Sequence, residues 1–173
     1  MSLRNRIDSW GLGARFLHWS MAALFILQWV AGEWDDLFGG RKFHISLGLL
    51  LATLTILRLV WRAMNPTPAL PENGPAWERL VAKLTYAAWY LLMIVLPVTG
   101  IAYVQLKGKV ASFFGLWTVP SFLAADKALA HTLEEVHETL AICFLVLLAL
   151  HTAAAFKHHF IARDGILLRM LRG

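Results

Sequence analysis

Four stretches of the chain, 16–32, 43–61, 84–106 and 139–156, consist almost wholly of apolar and small uncharged residues, and Arg58 is the one charged residue inside any of them. A helix that crosses about 30 Å of hydrocarbon needs about 20 such residues. In lipid no water is at hand for a bare N–H or C=O, so each stretch must be helical. With interfacial flanks included, the sequence predicts spans at about 14–33, 43–62, 83–106 and 133–158 of one membrane-embedded domain, 1–173. Composition agrees: 58% of residues are hydrophobic and 16% charged, where a soluble domain carries about a quarter charged. Trp19, Trp29, Trp34, Trp61, Trp77, Trp89, Tyr103 and Trp117 fall mostly near the ends of the runs, as interfacial aromatics do. Arg4 and Arg6 ahead of the first run invite a signal-peptide reading. His18, Trp19 and Gln28 inside it, and the three runs that follow, make a retained helix the expectation.

The connections are short. Residues 33–42 join the first two spans, and 107–126, with Gly108, Gly115 and Pro120, join the last two. Residues 62–83 join the second to the third and are rich in turn formers: Asn65-Pro66-Thr67-Pro68, Pro71 and Asn73-Gly74-Pro75. Short loops make successive helices antiparallel, so the predicted fold is all-α, an up-down four-helix bundle. Lys and Arg set its orientation. Arg4, Arg6, Arg15, Arg58, Arg62, Arg79, Lys83, Lys157, Arg163, Arg169 and Arg172 lie on one side, against Arg41, Lys42, Lys107, Lys109 and Lys127 on the other. Both termini are therefore expected in the cytoplasm. The net charge of +5 lies between apolar runs rather than on one amphipathic face, which speaks for a lipid bilayer as partner and against nucleic acid.

Imidazoles inside such runs need a reason. His18 opens the first span, His44 opens the second, and His137 and His151 lie toward the two ends of the fourth. Antiparallel order puts His18 at the depth of His151, and His44 at the depth of His137. His137 and His151 are 14 residues apart, which is about 40° short of four full helical turns and about 21 Å along the axis. One face of one helix thus serves two stacked sites. The single cysteine, Cys143, excludes a C-x-x-C-H haem attachment and any cysteine-held cluster. Zinc wants three or four ligands at one depth, whereas these histidines come in twos. Two non-covalent b-type haems, each held by two axial imidazoles, fit best. The alternative for any one histidine is a helix-to-helix hydrogen bond. His131, beside Thr132 and Glu134, reads as a solvated surface residue.

Supporting positions follow from spacing. Arg58 is 14 residues after His44 and on its face; it either partners a propionate of the inner haem or snorkels to the interface. Arg15 and Lys42, each near a histidine in sequence, are similar candidates. Gly48, one turn after His44, and Gly100, after Pro97, either admit the porphyrin edge or pack helix against helix.

Taken together, the chain resembles the bacterial cytochrome b561 family. The likeness rests on His18-Trp19, His44 with Gly48, Leu96-Pro97-Val98-Thr99-Gly100, Phe114-Gly115-Leu116, His137-Glu138-Thr139, Ala155-Phe156-Lys157-His158-His159 and the closing run from Arg163-Asp164-Gly165 to Met170. It implies a four-helix, two-haem protein of the bacterial inner membrane that carries electrons between an outside donor or acceptor and the quinone pool. Some members are superoxide oxidases, which pass electrons from periplasmic superoxide to ubiquinone. Arg41, Lys42, Lys107, Lys109 and Lys127 are suited to steering a small anion. By the same likeness His158, seven residues after His151, is expected at the quinone head group as a proton relay, with His159 at the interface. A haem subunit that links a soluble dehydrogenase or hydrogenase to quinone, and a transporter or receptor with structural histidines, are the competing readings.

Overall fold

The apolar runs fold as helices longer than themselves. In the computed structural model, which describes residues 2–34, 36, 38–69 and 76–173, α1 spans Leu12–Glu33, α2 Arg41–Met64, α3 Ala76–Leu106 and α4 Lys127–Phe156. A π-helical turn, Lys157–Ala162, continues α4 and leads to a short α5, Ile166–Leu171. The extra turns come at the charged flanks. Residues 76–83 extend α3 into what the turn signals had marked as loop, because hydropathy marks where lipid-compatible residues start, not where helical hydrogen bonding does. Of those turn formers, Pro71 and Asn73-Gly74-Pro75 lie outside the described residues. At the start of α4 the Asp126 carboxylate accepts from the N–H groups of Ala128 and Leu129, each at 3.0 Å, which satisfies two of the donors a helix leaves over.

Among the described residues three helical stretches are long and apolar enough to cross a membrane: Arg41–Met64, Trp77–Leu106 and Lys127–Ala162. α1 has a spanning helix's length, at 22 residues. It is not one of the three, because His18, Ser20, Gln28 and its two ends, with Arg15, Trp19, Trp29 and Glu33, dilute its apolar character.

The closest backbone approaches are α1 with α2, α2 with α3 and α3 with α4. α1 and α4 reach each other through side chains. Phe25 packs on Phe144 at 4.6 Å between ring centroids, and Trp89 meets the same ring edge-on at 4.7 Å. With Met21, Leu92 and Met93 these form the buried centre of the bundle. Phe144 is seven residues from both His137 and His151, so this aromatic knot sits midway between the two histidine depths. Large apolar side chains such as Phe16, Ile56, Leu91, Ile142 and Leu150 are exposed on the outside. That surface suits lipid and not water.

One element was not legible beforehand. The connection 107–126 contains a two-stranded hairpin, β1 Ser112–Phe113 and β2 Trp117–Thr118, turned by Phe114 and Gly115, both at positive φ (48° and 75°). It is held on α2 by Ser46, whose hydroxyl donates to the Ser112 carbonyl at 3.1 Å and accepts the Phe114 N–H at 2.9 Å. Gln105, buried at the end of α3, secures the rest of the loop through the Pro120 carbonyl and the Phe122 N–H. Truncation of Phe144 to Ala empties the knot and is expected to destabilise the bundle by roughly 3–5 kcal/mol. Unfolding in mixed detergent–SDS micelles followed by circular dichroism reads this directly; an unchanged midpoint would show that the ring does not hold the helices together.

Candidate cofactor sites

The four histidines meet in two pairs. His18 faces His151 and His44 faces His137, and both pairs have ring centroids 6.2 Å apart. That gap is too wide for a hydrogen bond and suits one metal ion taking a nitrogen from each ring at about 2 Å. Among the described residues no three His, Cys, Asp or Glu side chains gather as a metal-binding group. The candidate ligands therefore come in twos, at two depths.

Every helix contributes to each layer, because the 14-residue interval recurs on three of them. On α4 it separates His137 from His151. On α2 it separates His44 from Arg58, and on α1 it separates His18 from Gly32. In the outer layer Gly32 lies against the His44 ring, where an added Cβ would be 2.9 Å from Cε1. Gly100 on α3 does the same for His137, at 3.1 Å. Any larger residue at either place pushes an imidazole aside. Gly100 thus makes room for the histidine ring. Gly48 lines the same space, where an added Cβ would stand 3.3 Å from Gln28 Nε2.

Hydrogen bonds fix which ring nitrogen is available. His44 Nδ1–H donates to the Gln28 carbonyl at 3.1 Å, and its Nε2 accepts from the Gln28 side-chain amide, also at 3.1 Å. Thr99 gives its hydroxyl hydrogen to the Leu96 carbonyl at 2.9 Å, so its oxygen accepts His137 Nδ1–H at 3.0 Å. Both outer imidazoles therefore carry the proton on Nδ1 and present Nε2 as a lone pair. This is the support that ligating histidines ordinarily have. A cavity of about 520 Å³ opens at this pair, lined among others by Gln28, Gly32, Gly48 and Gly100, and the buried Gln28 Oε1 has no partner among the described residues. Space, donor type and an unsatisfied polar atom all fit a planar, metal-centred cofactor.

The inner pair differs. Arg58 Nη2 donates to His18 Nδ1 at 3.3 Å, so Nδ1 is the lone pair there. Ligation through Nε2 requires a proton on Nδ1, which a guanidinium cannot accept, so Arg58 must turn away and is then available to a carboxylate. Trp89 stands edge-on to His151 at 5.9 Å, and its buried indole N–H lacks an acceptor among the described residues.

Other expected positions lie elsewhere. Arg15 donates to the Leu171 carbonyl and lines a separate cleft with residues from the two ends of the chain. Lys42 is exposed, and it is its neighbour Arg41 that lines the outer cavity. Arg41 donates to the Tyr103 hydroxyl at 3.0 Å, as does Lys107 at 2.6 Å, and that hydroxyl donates to Glu134. Lys107 reaches the same carboxylate at 3.4 Å. The phenol holds the Lys107 ammonium above its ordinary range, so it stays charged. Two of the five outer cations are thereby engaged with Glu134. His131 is exposed beside Glu135 at 3.8 Å. His158 Nδ1 meets Asp164 Oδ2 at 2.5 Å, and His159 packs on Phe160. Gln28 and Gly32 carry no motif of their own, while Thr99 and Asp164 stand inside stretches that carry the family likeness but had no role assigned. Gln28 was visible only as a polar residue inside an apolar run, a signal that intramembrane polar groups do give.

An all-α bundle with paired interior histidines defines a membrane cytochrome of the b type. A family model, prokaryotic cytochrome b561, matches residues 9–173, and the chain belongs to that family. It is 33% identical over 180 aligned positions to cytochrome b561 homolog 2 of Escherichia coli K12, covering 99% of this chain and 95% of that one. It is 32% identical to a probable superoxide oxidase, CybB, of Yersinia pestis, covering 90% and 91%. Cytochrome b562 of Cereibacter sphaeroides is 24% identical, covering 90% of each chain. Membership makes this a membrane electron-transfer protein that binds b-type haem. Gly100→Leu is expected to displace the His137 ring and lower the haem-to-protein ratio. A reduced-minus-oxidised spectrum with pyridine haemochrome quantification checks this; full haem content would show that the close approach is incidental.

Proposed function

We propose that the protein is a superoxide:ubiquinone oxidoreductase of the bacterial inner membrane, with all four helices crossing, both termini cytoplasmic and two b-type haems. His44 and His137 would hold the outer haem, and His18 and His151 the inner one. The observation that carries this reading is the repeat itself: two equal histidine gaps, at opposite depths, on one helix face. Haem bound at both pairs supplies reversible one-electron carriage across the bilayer. The name printed for the Yersinia relative supports superoxide as the donor.

The chain's own residues serve the two ends differently. At the outer face, Lys42, Lys109 and Lys127 are the cations not engaged with Glu134, and they favour approach of a small anion. Overall, two superoxide ions lose one electron each and leave as dioxygen, while one quinone gains two electrons and two protons. Those protons are needed at the inner face. Asp164 accepts from His158 Nδ1, because a carboxylate can only accept, and this leaves Nε2 to take and pass a proton. The backbone is built for that contact. The π-helical turn underwinds the end of α4, Arg163 adopts a left-handed conformation (φ 51°) and Asp164 returns beneath His158, its other oxygen accepting the Ile166 N–H at 3.1 Å. Such turns cluster at functional sites.

Purified protein given superoxide and a soluble ubiquinone analogue should show haem reduction and quinol formation faster than spontaneous dismutation. Haem that stays oxidised while superoxide merely decays would reject the donor and favour the reading in which a soluble dehydrogenase supplies the electrons. Asp164→Asn is expected to slow quinone reduction about ten- to a hundredfold and to shift its pH profile, with haem content and superoxide-driven haem reduction unchanged. An unaltered pH profile would remove His158 and Asp164 from proton delivery.

A further inference from the structure

Away from the histidine layers, positive charge concentrates where the two ends of the chain meet. A cleft of about 280 Å³ is lined by Arg4, Arg6, Arg15 and Arg172, with Ser9 and Trp10. Three segments build it: the N-terminal strap before α1, the first turn of α1 and the residues after α5. The strap is fixed from within, since buried Asn5 donates to the Pro66 carbonyl at 3.0 Å and accepts the Gly11 N–H at 3.1 Å. α5 is fixed by Trp19, whose indole N–H donates to the Met170 carbonyl at 3.1 Å. The guanidinium groups therefore converge on a defined frame.

The frame lacks an acceptor. Arg15 donates through Nη2 to the Leu171 carbonyl, yet its Nε is buried and has no hydrogen-bond partner among the described residues. A buried charged donor without an acceptor costs more than a hydrogen bond is worth, so such a group calls for a missing oxygen ligand. Arg6 is taken by Asp8 at 3.4 Å, and no carboxylate side chain lines the cleft among the described residues. Arg4, Arg15 and Arg172 have no ion-pair partner among the described residues. Guanidinium forks match the oxygens of a phosphate group better than any other common anion.

The surroundings say where that phosphate sits. Leu12 lies three residues before Arg15 and so on the same helix face. It is exposed, as are Phe16 and Leu171, so apolar surface runs from the mouth of the cleft along the outside of the bundle. A free anion has no use for this surface; an acyl chain does. By the Lys and Arg distribution this is the cytoplasmic end, where anionic headgroups meet basic pockets. We propose that the cleft binds the phosphate of an anionic phospholipid headgroup, with the acyl chains lying along Leu12 and Phe16.

The test uses the haem-loaded protein in neutral detergent, with native mass spectrometry to count retained lipid. Phosphatidylglycerol, phosphatidylcholine and inorganic phosphate are offered separately. One phosphatidylglycerol should be retained about tenfold better than phosphatidylcholine, and Arg4→Gln with Arg172→Gln should abolish the preference while the haem spectrum, which reports folding of the bundle, stays the same. Retention of inorganic phosphate without preference between the lipids would keep the phosphate site and overturn the lipid. Equal retention of all three, or an unchanged preference in the double variant, overturns the site. Should the double variant lose its haem spectrum, titrating the wild-type preference against added inorganic phosphate decides: competition supports a phosphate pocket, and its absence rejects one.

Discussion

An imidazole enclosed by apolar helices has two nitrogens to satisfy, and the outer half of this bundle is arranged around that need. A backbone carbonyl of α1 and a threonine hydroxyl of α3 each accept an Nδ1–H, and both ring lone pairs then face one cavity. The tautomer is decided by groups that can only accept in the observed geometry, so Nε2 is the atom each ring would offer a cofactor, once the Gln28 amide releases that of His44. Glycines at the two places where a helix presses on a ring complete it. Changing one of these partners alters ring position and basicity together, which couples bundle packing to whatever potential the bound group adopts.

The second organising quantity is the interval of 14 residues. It sets two layers on α4, and its recurrence on α1 and α2 gives each layer a different companion: glycine above histidine on one helix, histidine above arginine on the next. Phe144, with Phe25 and Trp89, fills the midpoint. The layers are consequently not equivalent. The outer pair is supported by neutral groups, while the inner pair has a guanidinium against one ring. Charge near a redox group stabilises its reduced or oxidised form unequally, so redox groups held at the two depths would differ in electron affinity.

Depth and spacing were legible in the sequence; rotation was not. Antiparallel order paired His18 with His151 and His44 with His137, and the structure brings those rings together. Periodicity says how far along a helix a residue lies, but which way neighbouring helices turn toward one another is settled by packing. For that reason the sequence puts Arg58 in the layer of His18 without showing their contact, and leaves Gly100 between a porphyrin edge and helix packing, where the structure sets it against the His137 ring. The same blindness hid Gln28 and Thr99, and let Lys42 stand where Arg41 does. The hairpin at 112–118 escaped because its strands are two residues each and are held by Ser46 and Gln105 on helices far away in sequence. The Asp164 contact escaped because it depends on a π-helical turn and a left-handed arginine, neither of which a hydropathy pattern encodes.

Each histidine pair draws one member from the first two helices and the other from α4, and the chain's last helix is what receives Arg15 and Trp19 of the first. No part of the chain that stops short of α4 contains a complete pair. Before α4 is in place, the imidazoles and the guanidinium of the first two helices can hold only one another and Gln28: His44 bonds Gln28, and Arg58 bonds His18. Both histidine pairs are complete only when α4 is packed on the first two helices, so each candidate haem site depends on the last quarter of the sequence.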